Sequence, residues 1–332
     1  MPYTIAERVQ RWTLELNEKV GQETDYNSIY EKIDFLAKRR FFEYVPTGGP
    51  YPDFMIRLRN WLDQVPDEKD QKILFQLVLH VFFIGNKEFT SLYRAALRGP
   101  IIKWIIDELD LRLDDINLED KIRQAISETW FCPITDSMQI AGFYHANLIE
   151  GIDIRPDWRS LSRLGDKVSI SKYMEQKKLK RLVLLEDFVG SGTQMSYPVT
   201  FAASLDDNLS ILLVPLIICP GGIQKGEELA RDNPNVRFSP VLKLPRNVLL
   251  SDSPSLGEPE LFESARGLCM RLYDLVIGNG NGRGEGNLFG PFGHENTGSL
   301  IVMHTNCPDN TLPLIHHQSD TWNPLFPRSR RG

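Results

Sequence analysis

Residues 182–194 read LVLLEDFVGSGTQ, and the groups able to do chemistry lie in its second half. Glu186 and Asp187 are adjacent carboxylates, delivered by the aliphatic run Leu182–Leu185 to what reads as the end of a buried strand. They are followed by Val189, Gly190, Ser191, Gly192, Thr193 and Gln194, a glycine turn that opens into a helical pattern. Backbone N–H groups at such a turn converge at the positive end of the helix, so the turn suits an anion. Two acids beside it are costly unless a cation or a ligand rich in hydroxyls shares them. The expected ligand therefore carries an anionic group and hydrogen-bond donors.

Several ligands meet that description. A nucleoside-triphosphate P-loop is excluded, because no Gly-Lys-Ser/Thr follows the turn. A dinucleotide fingerprint needs a third glycine where Met195 stands, and an acid at the end of the next strand, where the chain has Cys219, Pro220 and Gly221. LLEDFVGSGT is similar to the cofactor loop of amino-type DNA methyltransferases, which would imply S-adenosylmethionine as ligand. Those enzymes also carry a Pro-Pro-aromatic motif; this chain has no Pro-Pro dipeptide, and Asp187 stands where they have proline. Methyltransferase stays as an alternative.

Leu182 to Leu185, Glu186, Asp187, Phe188, Val189, Gly190, Ser191 and Gly192 match in order the signature of the type I phosphoribosyltransferases. The resemblance implies an α/β fold with a parallel sheet and, as ligand, phosphoribosyl pyrophosphate or a related ribose 5-phosphate or nucleotide. Backbone N–H groups of Val189 to Gln194 would hold the 5′-phosphate, with Ser191 and Thr193 hydroxyls adding donors. Glu186 and Asp187 would accept from the ribose hydroxyls and favour positive charge at C1 as pyrophosphate leaves, so they are the expected catalytic pair. Magnesium is the implied cofactor, carried by the ligand and touched by Glu186 and Asp187. The family often has Thr where this chain has Gln194, which changes the side chain but keeps the backbone donor.

The resemblance implies further parts. A pyrophosphate loop belongs after an earlier strand, and WFCPITDSMQIAGF offers Thr135, Asp136 and Ser137 before a helix starting near Ser137; Asp136 or Ser137 as a plain N-cap is the other reading. A flexible flap would fall in IRPDWRSLSRLGDKVSISKYMEQKKLKR, with Arg155, Arg163 and Lys172 facing pyrophosphate, or this basic run is a solvated loop. Together with EDFVGSGTQ, the segments PDNTLP and PLFPR resemble the phosphoribosyltransferase-like (PRTase-CE) proteins of bacterial conflict and anti-phage systems. That resemblance implies a glycosyltransferase-type effector in phage defence, with partner proteins of such a system. Asn306, Asp309 and Asn310 would lie on the acceptor side, or form a turn built on Asn and Asp. A fold retained as a sensor that binds the sugar phosphate without turnover is the alternative of a different class.

The elements that must position these groups follow from periodicity. TIAERVQRWTLELNEKV places Ile5, Val9, Trp12, Leu16 and Val20 on one stripe, and SIYEKIDFLAKRRFFEYV repeats the pattern with Ser28 and Glu31 spaced as a capping box. PDFMIRLRNWLDQV predicts a helix with its proline in the first turn, and QKILFQLVLHVFFIG, apolar nearly all round, a buried helix. Residues 1–125 are therefore expected to form a helical N-terminal domain. Beyond residue 126, ETWFCPI, RLVLLED, SILLVPLIIC, VRFSPVL and SLIVMHTN read as strands among helices, giving an α/β domain over 126–332 with a glycine-rich insertion at 278–287.

Composition sets the outer bounds. The net charge of -6 shows no general polycation, so nucleic acid is not indicated. No signal-peptide core or membrane-length apolar run occurs, which makes the cytoplasm the expected location. Cys132, Cys219, Cys269 and Cys307 form no paired motif and read as free thiols; His80, His294, His304, His316 and His317 read as core or polar positions rather than zinc ligands.

Overall fold

Apolar stripes become buried helix faces near the N-terminus. Helix α1 (Ile5–Asn17) buries Ile5, Val9 and Trp12, and α2 (Tyr26–Arg39) buries Tyr26, Ile33 and Ala37. The α2 cap is Asp25, whose carboxylate accepts from Ser28 N at 3.0 Å, not Ser28 as the capping-box spacing predicts. An Asp one turn earlier satisfies the same free donors and adds a favourable charge at the helix start. Helix α3 (Phe54–Asp63) is likewise capped by Asp53, so the preceding Pro52 stands outside the helix rather than in its first turn.

The run predicted as one buried helix divides in three. Helix α4 (Glu68–Leu77) ends in a 3₁₀ turn at Val78–His80, and Phe82–Ile84 form strand β1. An unbroken apolar run fits a buried helix or a buried strand equally well, and long-range pairing decides between them. Here the partner is β9 (Ile301–Met303), parallel, with Phe82 opposite Ile301 and Ile84 opposite Met303.

The computed structural model describes residues 4–17, 25–46, 51–149, 167–278 and 289–329. Two compact units emerge, Met1–Asn86 with Arg246–Gly332, and Lys87–Pro245. This division differs from a boundary at residue 125, because pairings distant in sequence hold the first unit together. Trp61 Nε1 donates to Leu314 O at 2.8 Å, Arg57 Nη1 to Leu325 O at 2.8 Å and Tyr44 OH to Pro327 O at 2.7 Å. Trp322, Leu325 and Phe326 are fully buried, and the Phe326 ring lies 5.3 Å from Phe41 and 5.2 Å from Tyr44. Each such side chain contributes about 1.5–3 kcal/mol by burial. The unit also contains β7 (Phe289–Gly290), β8 (Gly293–His294) and the long helix Leu261–Ile277, which packs on α4 and ties Arg271 to Asp70.

The second unit is the α/β body. Helices α5 (Asn86–Ala96), α6 (Ile102–Glu108) and α7 (Leu118–Ser127) lead into β2 (Thr129–Pro133) and α8 (Ile140–Asn147). Then come α9 (Lys167–Gln176), β3 (Arg181–Val189), α10 (Thr193–Ala203), β4 (Ser210–Ile218), α11 (Pro220–Asp232), β5 (Val236–Phe238) and β6 (Leu242–Lys243). The five strands make a wholly parallel sheet in the order β2-β3-β4-β5, with β6 also on β4. One face, bearing Leu182, Leu184, Ile211 and Leu213, packs on Ile170, Met174, Met195, Val199 and Leu229 of α9–α11. On the other, Phe131 meets Phe143 of α8 at 5.2 Å between ring centroids.

A proline within a central strand removes a ladder donor. Pro215 O accepts from Val241 N, so Pro215 faces the gap between β5 and β6, where the missing N–H leaves no partner unsatisfied. Among the described residues no helix is long and apolar enough to cross a membrane.

Candidate functional site

Strand β3 outruns its neighbour. Register pairing with β2 stops at Pro133 opposite Leu185, while β4 continues beside β3 to Val189 opposite Ile218. Glu186 and Asp187 thus sit at the C-terminal end of the sheet, where β3 has lost β2 as a neighbour. They are 4 % and 3 % exposed. The chain leaving β2 curls over them, beginning with Ile134 N donating to Leu185 O at 2.9 Å.

That turn supplies the acids with donors. Thr135 N donates to Glu186 Oε2 at 2.9 Å, Thr135 Oγ1 bonds Glu186 Oε1, and Ser137 Oγ donates to Asp187 Oδ1 at 3.0 Å and lies 3.5 Å from Glu186 Oε1. The two hydroxyls lie 2.6 Å apart, and Phe188 N adds a 2.7 Å bond to Asp187 Oδ1. Consecutive side chains of a strand point to opposite faces, yet one serine reaches both carboxylates because the strand edge here is open. Asp136 between them is exposed. Neither Asp136 nor Ser137 caps the following helix, which starts at Ile140 with Gln139 at the cap position and no side-chain bond. The expected helix start near Ser137 therefore moves three residues on, because Ser137 is engaged by the acids.

The glycine turn lies immediately downstream. Gly192 has φ +90° and precedes the first residue of α10, Thr193; Met195 N donates to Gly192 O at 3.1 Å. Ser191 Oγ and Thr193 Oγ1 are 3.3 Å apart, and the Thr193 and Gln194 side chains are exposed. The turn is braced by the chain leaving β4: Cys219 N donates to Val189 O at 2.8 Å and Gly222 N to Gly190 O at 2.9 Å. A Cβ on Gly222 would lie 2.6 Å from Val189 Cγ1 and 3.0 Å from Gly190 O. A Cβ on Gly192 would lie 2.8 Å from Lys225 Cβ, so the Lys225 stem packs against the turn while its Nζ lies 3.4 Å from Glu228 Oε2. Gly222 and Lys225 were not anticipated; the only signal was the segment CPGGIQK after a buried strand.

Other expected residues lie elsewhere in the chain. Arg155 and Arg163 lie outside the described residues. Lys172 is exposed on α9, and Lys167 at its start donates to Ser204 O at 2.8 Å. Asn306, Asp309 and Asn310 belong to the first unit. There Asn306 Oδ1 accepts from Cys307 N at 3.0 Å and Ser329 N at 3.1 Å, Asp309 lies 3.4 Å from Arg328, and Asn310 Nδ2 donates to Thr297 Oγ1 at 2.9 Å. In the same unit burial pushes the Cys307 thiol up to about 12, and burial with the Arg328 charge pushes the His316 imidazole down to about 3. Neutral His316 bonds Thr311 O at 3.0 Å.

The chemistry available at the sheet end is specific. Two buried carboxylates can accept from a polyhydroxyl ligand, and a preformed glycine turn at a helix start can receive an anion a few residues away. All the donor atoms at the acids are hard oxygens, which suits magnesium rather than a soft metal. Residues 58–328 match the PRTase-CE family. Neither a curated protein nor a solved structure matches the chain.

Proposed function

The chain belongs to the PRTase-CE family and is a phosphoribosyltransferase-like protein, and from that premise we propose that it binds phosphoribosyl pyrophosphate as its magnesium complex and acts at ribose C1. The observation that carries this reading is the buried Glu186–Asp187 pair, followed directly by the Gly190–Gly192 turn and the start of α10. That order suits a sugar with vicinal hydroxyls at one end and a 5′-phosphate at the other.

The protein's own groups would then act as follows. N–H groups from Val189 to Gln194 receive the 5′-phosphate, held open by the bonds from Cys219 and Gly222. Glu186 and Asp187 accept from the ribose hydroxyls, and their negative charge favours the positive charge that develops at C1 as the C1–O bond to pyrophosphate breaks. Thr135 and Ser137 already bond the acids, so a diphosphate bound at this turn would have to share or exchange those donors. Glu186 and Asp187 are the residues whose oxygens would hold magnesium, which would neutralise leaving-group charge.

The resemblance of EDFVGSGTQ, PDNTLP and PLFPR to conflict-system proteins supports a role as an effector of phage defence. Calorimetric titration of the magnesium complex into wild type and into a Glu186→Ala, Asp187→Ala double variant tests the ligand: binding to wild type and loss in the variant are expected, and equal titrations would sink the proposal. Pyrophosphate release over time then separates a transferase or hydrolase from a binding module. Phage plating on cells expressing either protein tests the defence role, which fails if the double variant protects as well as wild type.

A further inference from the structure

Helix α5 brings a phenol into the same unit as the acid pair. Tyr93 is 7 % exposed, its ring against α8: a Cβ on Gly142 would lie 2.9 Å from Tyr93 Cε2 and 3.4 Å from its hydroxyl oxygen. The Phe143 ring meets it edge-on at 6.2 Å and Phe89 packs at 5.9 Å. Asn147 Nδ2 donates to Tyr93 O at 3.0 Å and to Phe143 O at 2.9 Å, tying α5 to α8 at this level. The side chain is therefore fixed by packing, and its position is set by the helix that follows the Thr135–Ser137 turn.

Its hydroxyl is not among the buried side-chain atoms that lack a partner, so it reaches the surface of the unit. Among the described residues the Tyr93 hydroxyl makes no hydrogen bond, although Tyr144 one turn of α8 away sends its own to Phe131 O at 3.4 Å. The charge that Tyr93 feels is that of Asp187: burial first, then this carboxylate, pushes the phenol up from its ordinary value. Tyr93 therefore remains a neutral donor over the physiological range, near an acid whose own donors come from the adjoining turn.

We propose that Tyr93 is a ligand-contacting residue of this site, its hydroxyl donating to the diphosphate group held at the turn Ile134–Gln139. This rests on the reading of the site as one for phosphoribosyl pyrophosphate. Three features support it: a rigid aromatic, a donor without a partner among the described residues, and a place against Gly142 on the helix that leaves the turn assigned to pyrophosphate. The hydroxyl would supply a donor that stays in place when Thr135 and Ser137 are occupied by Glu186 and Asp187.

The test is Tyr93→Phe, which keeps the ring and removes only an atom that bonds nothing among the described residues. Titrations would use the magnesium complexes of phosphoribosyl pyrophosphate and of inorganic pyrophosphate, with ribose 5-phosphate as the ligand lacking the diphosphate. Affinity for the first two should fall on the order of tenfold or more, as for loss of one hydrogen bond to a charged group. Ribose 5-phosphate binding and the thermal midpoint should not move. Equal binding of phosphoribosyl pyrophosphate by wild type and variant overturns the inference and leaves the proposed function standing. A drop in midpoint with equal loss for all three ligands overturns it too, since that is what a purely structural role gives. If wild type binds none of them, both fall together.

Discussion

The turns that leave β2 and β3 lie at the ends of neighbouring strands, yet they are built on opposite principles. The one after β3 is made of backbone: Gly190 and Gly192 make it, and Cys219 and Gly222 brace it from the next strand's end with bonds of 2.8 and 2.9 Å. The one after β2 is made of side chains, and its Thr135 and Ser137 donors already serve Glu186 and Asp187. Backbone donors fixed by neighbouring strands lose little freedom on binding an anion, whereas hydroxyl rotors can turn toward a new acceptor. The comparison gives a preorganised turn and an adaptable one on either side of the same acid pair.

The largest effect on ligand affinity is expected where both turns converge. Glu186→Gln keeps an oxygen for Thr135 N and lets the Thr135 and Ser137 hydroxyls reverse toward the amide, so the fold should persist. The charge is lost, and affinity for the magnesium complex should drop roughly 10- to 100-fold per acid, Asp187→Asn behaving alike. An unchanged titration would mean that the carboxylates are not the sugar's partners.

Breaking the preorganised turn comes next. Gly222→Ala forces a methyl between Val189 and Gly190 O and should cost about 1–3 kcal/mol in a denaturant titration, with a parallel loss of phosphate affinity. A variant as stable as wild type would show that the brace yields without cost. The adaptable turn should respond more mildly: Thr135→Val, which keeps the backbone bond to Glu186, is expected to cost about 1 kcal/mol. Its ligand affinity should shift less than that of Gly222→Ala, and the reverse ranking would overturn the contrast between the turns. The smallest effect belongs to Gln194→Thr: an exposed side chain at a position whose contribution is its N–H should change affinity by no more than about threefold, a difference of about 0.7 kcal/mol.

The same contrast explains what the sequence made readable. Strands β3 and β4 stand out because each is an aliphatic run bounded by turn residues, β2 as the short apolar stretch WFCPI, and the acids and glycines of LVLLEDFVGSGTQ are local in the chain. Gly222, Lys225 and Tyr93 reach the site from elsewhere, and nothing near them in sequence says what they touch. Strand β1 was hidden in an apolar run because its identity depends on pairing with residues 301–303. The grouping of residues 1–86 with 246–332 escaped for the same reason: carbonyls of Leu314, Leu325 and Pro327 carry no sequence signal that Trp61, Arg57 and Tyr44 will donate to them.

That grouping fixes an order of events during synthesis. Strand β1 and helix α3 leave the ribosome long before β9 and Phe326 exist, whereas residues 87–245 emerge as one uninterrupted stretch. At roughly 5–20 residues per second the N-terminal helices wait on the order of ten seconds or more for their partners, with Phe41 lacking Phe326 and Trp61 lacking Leu314 O until then. The unit bearing the acid pair is thus complete on the nascent chain before the unit that begins the chain can close.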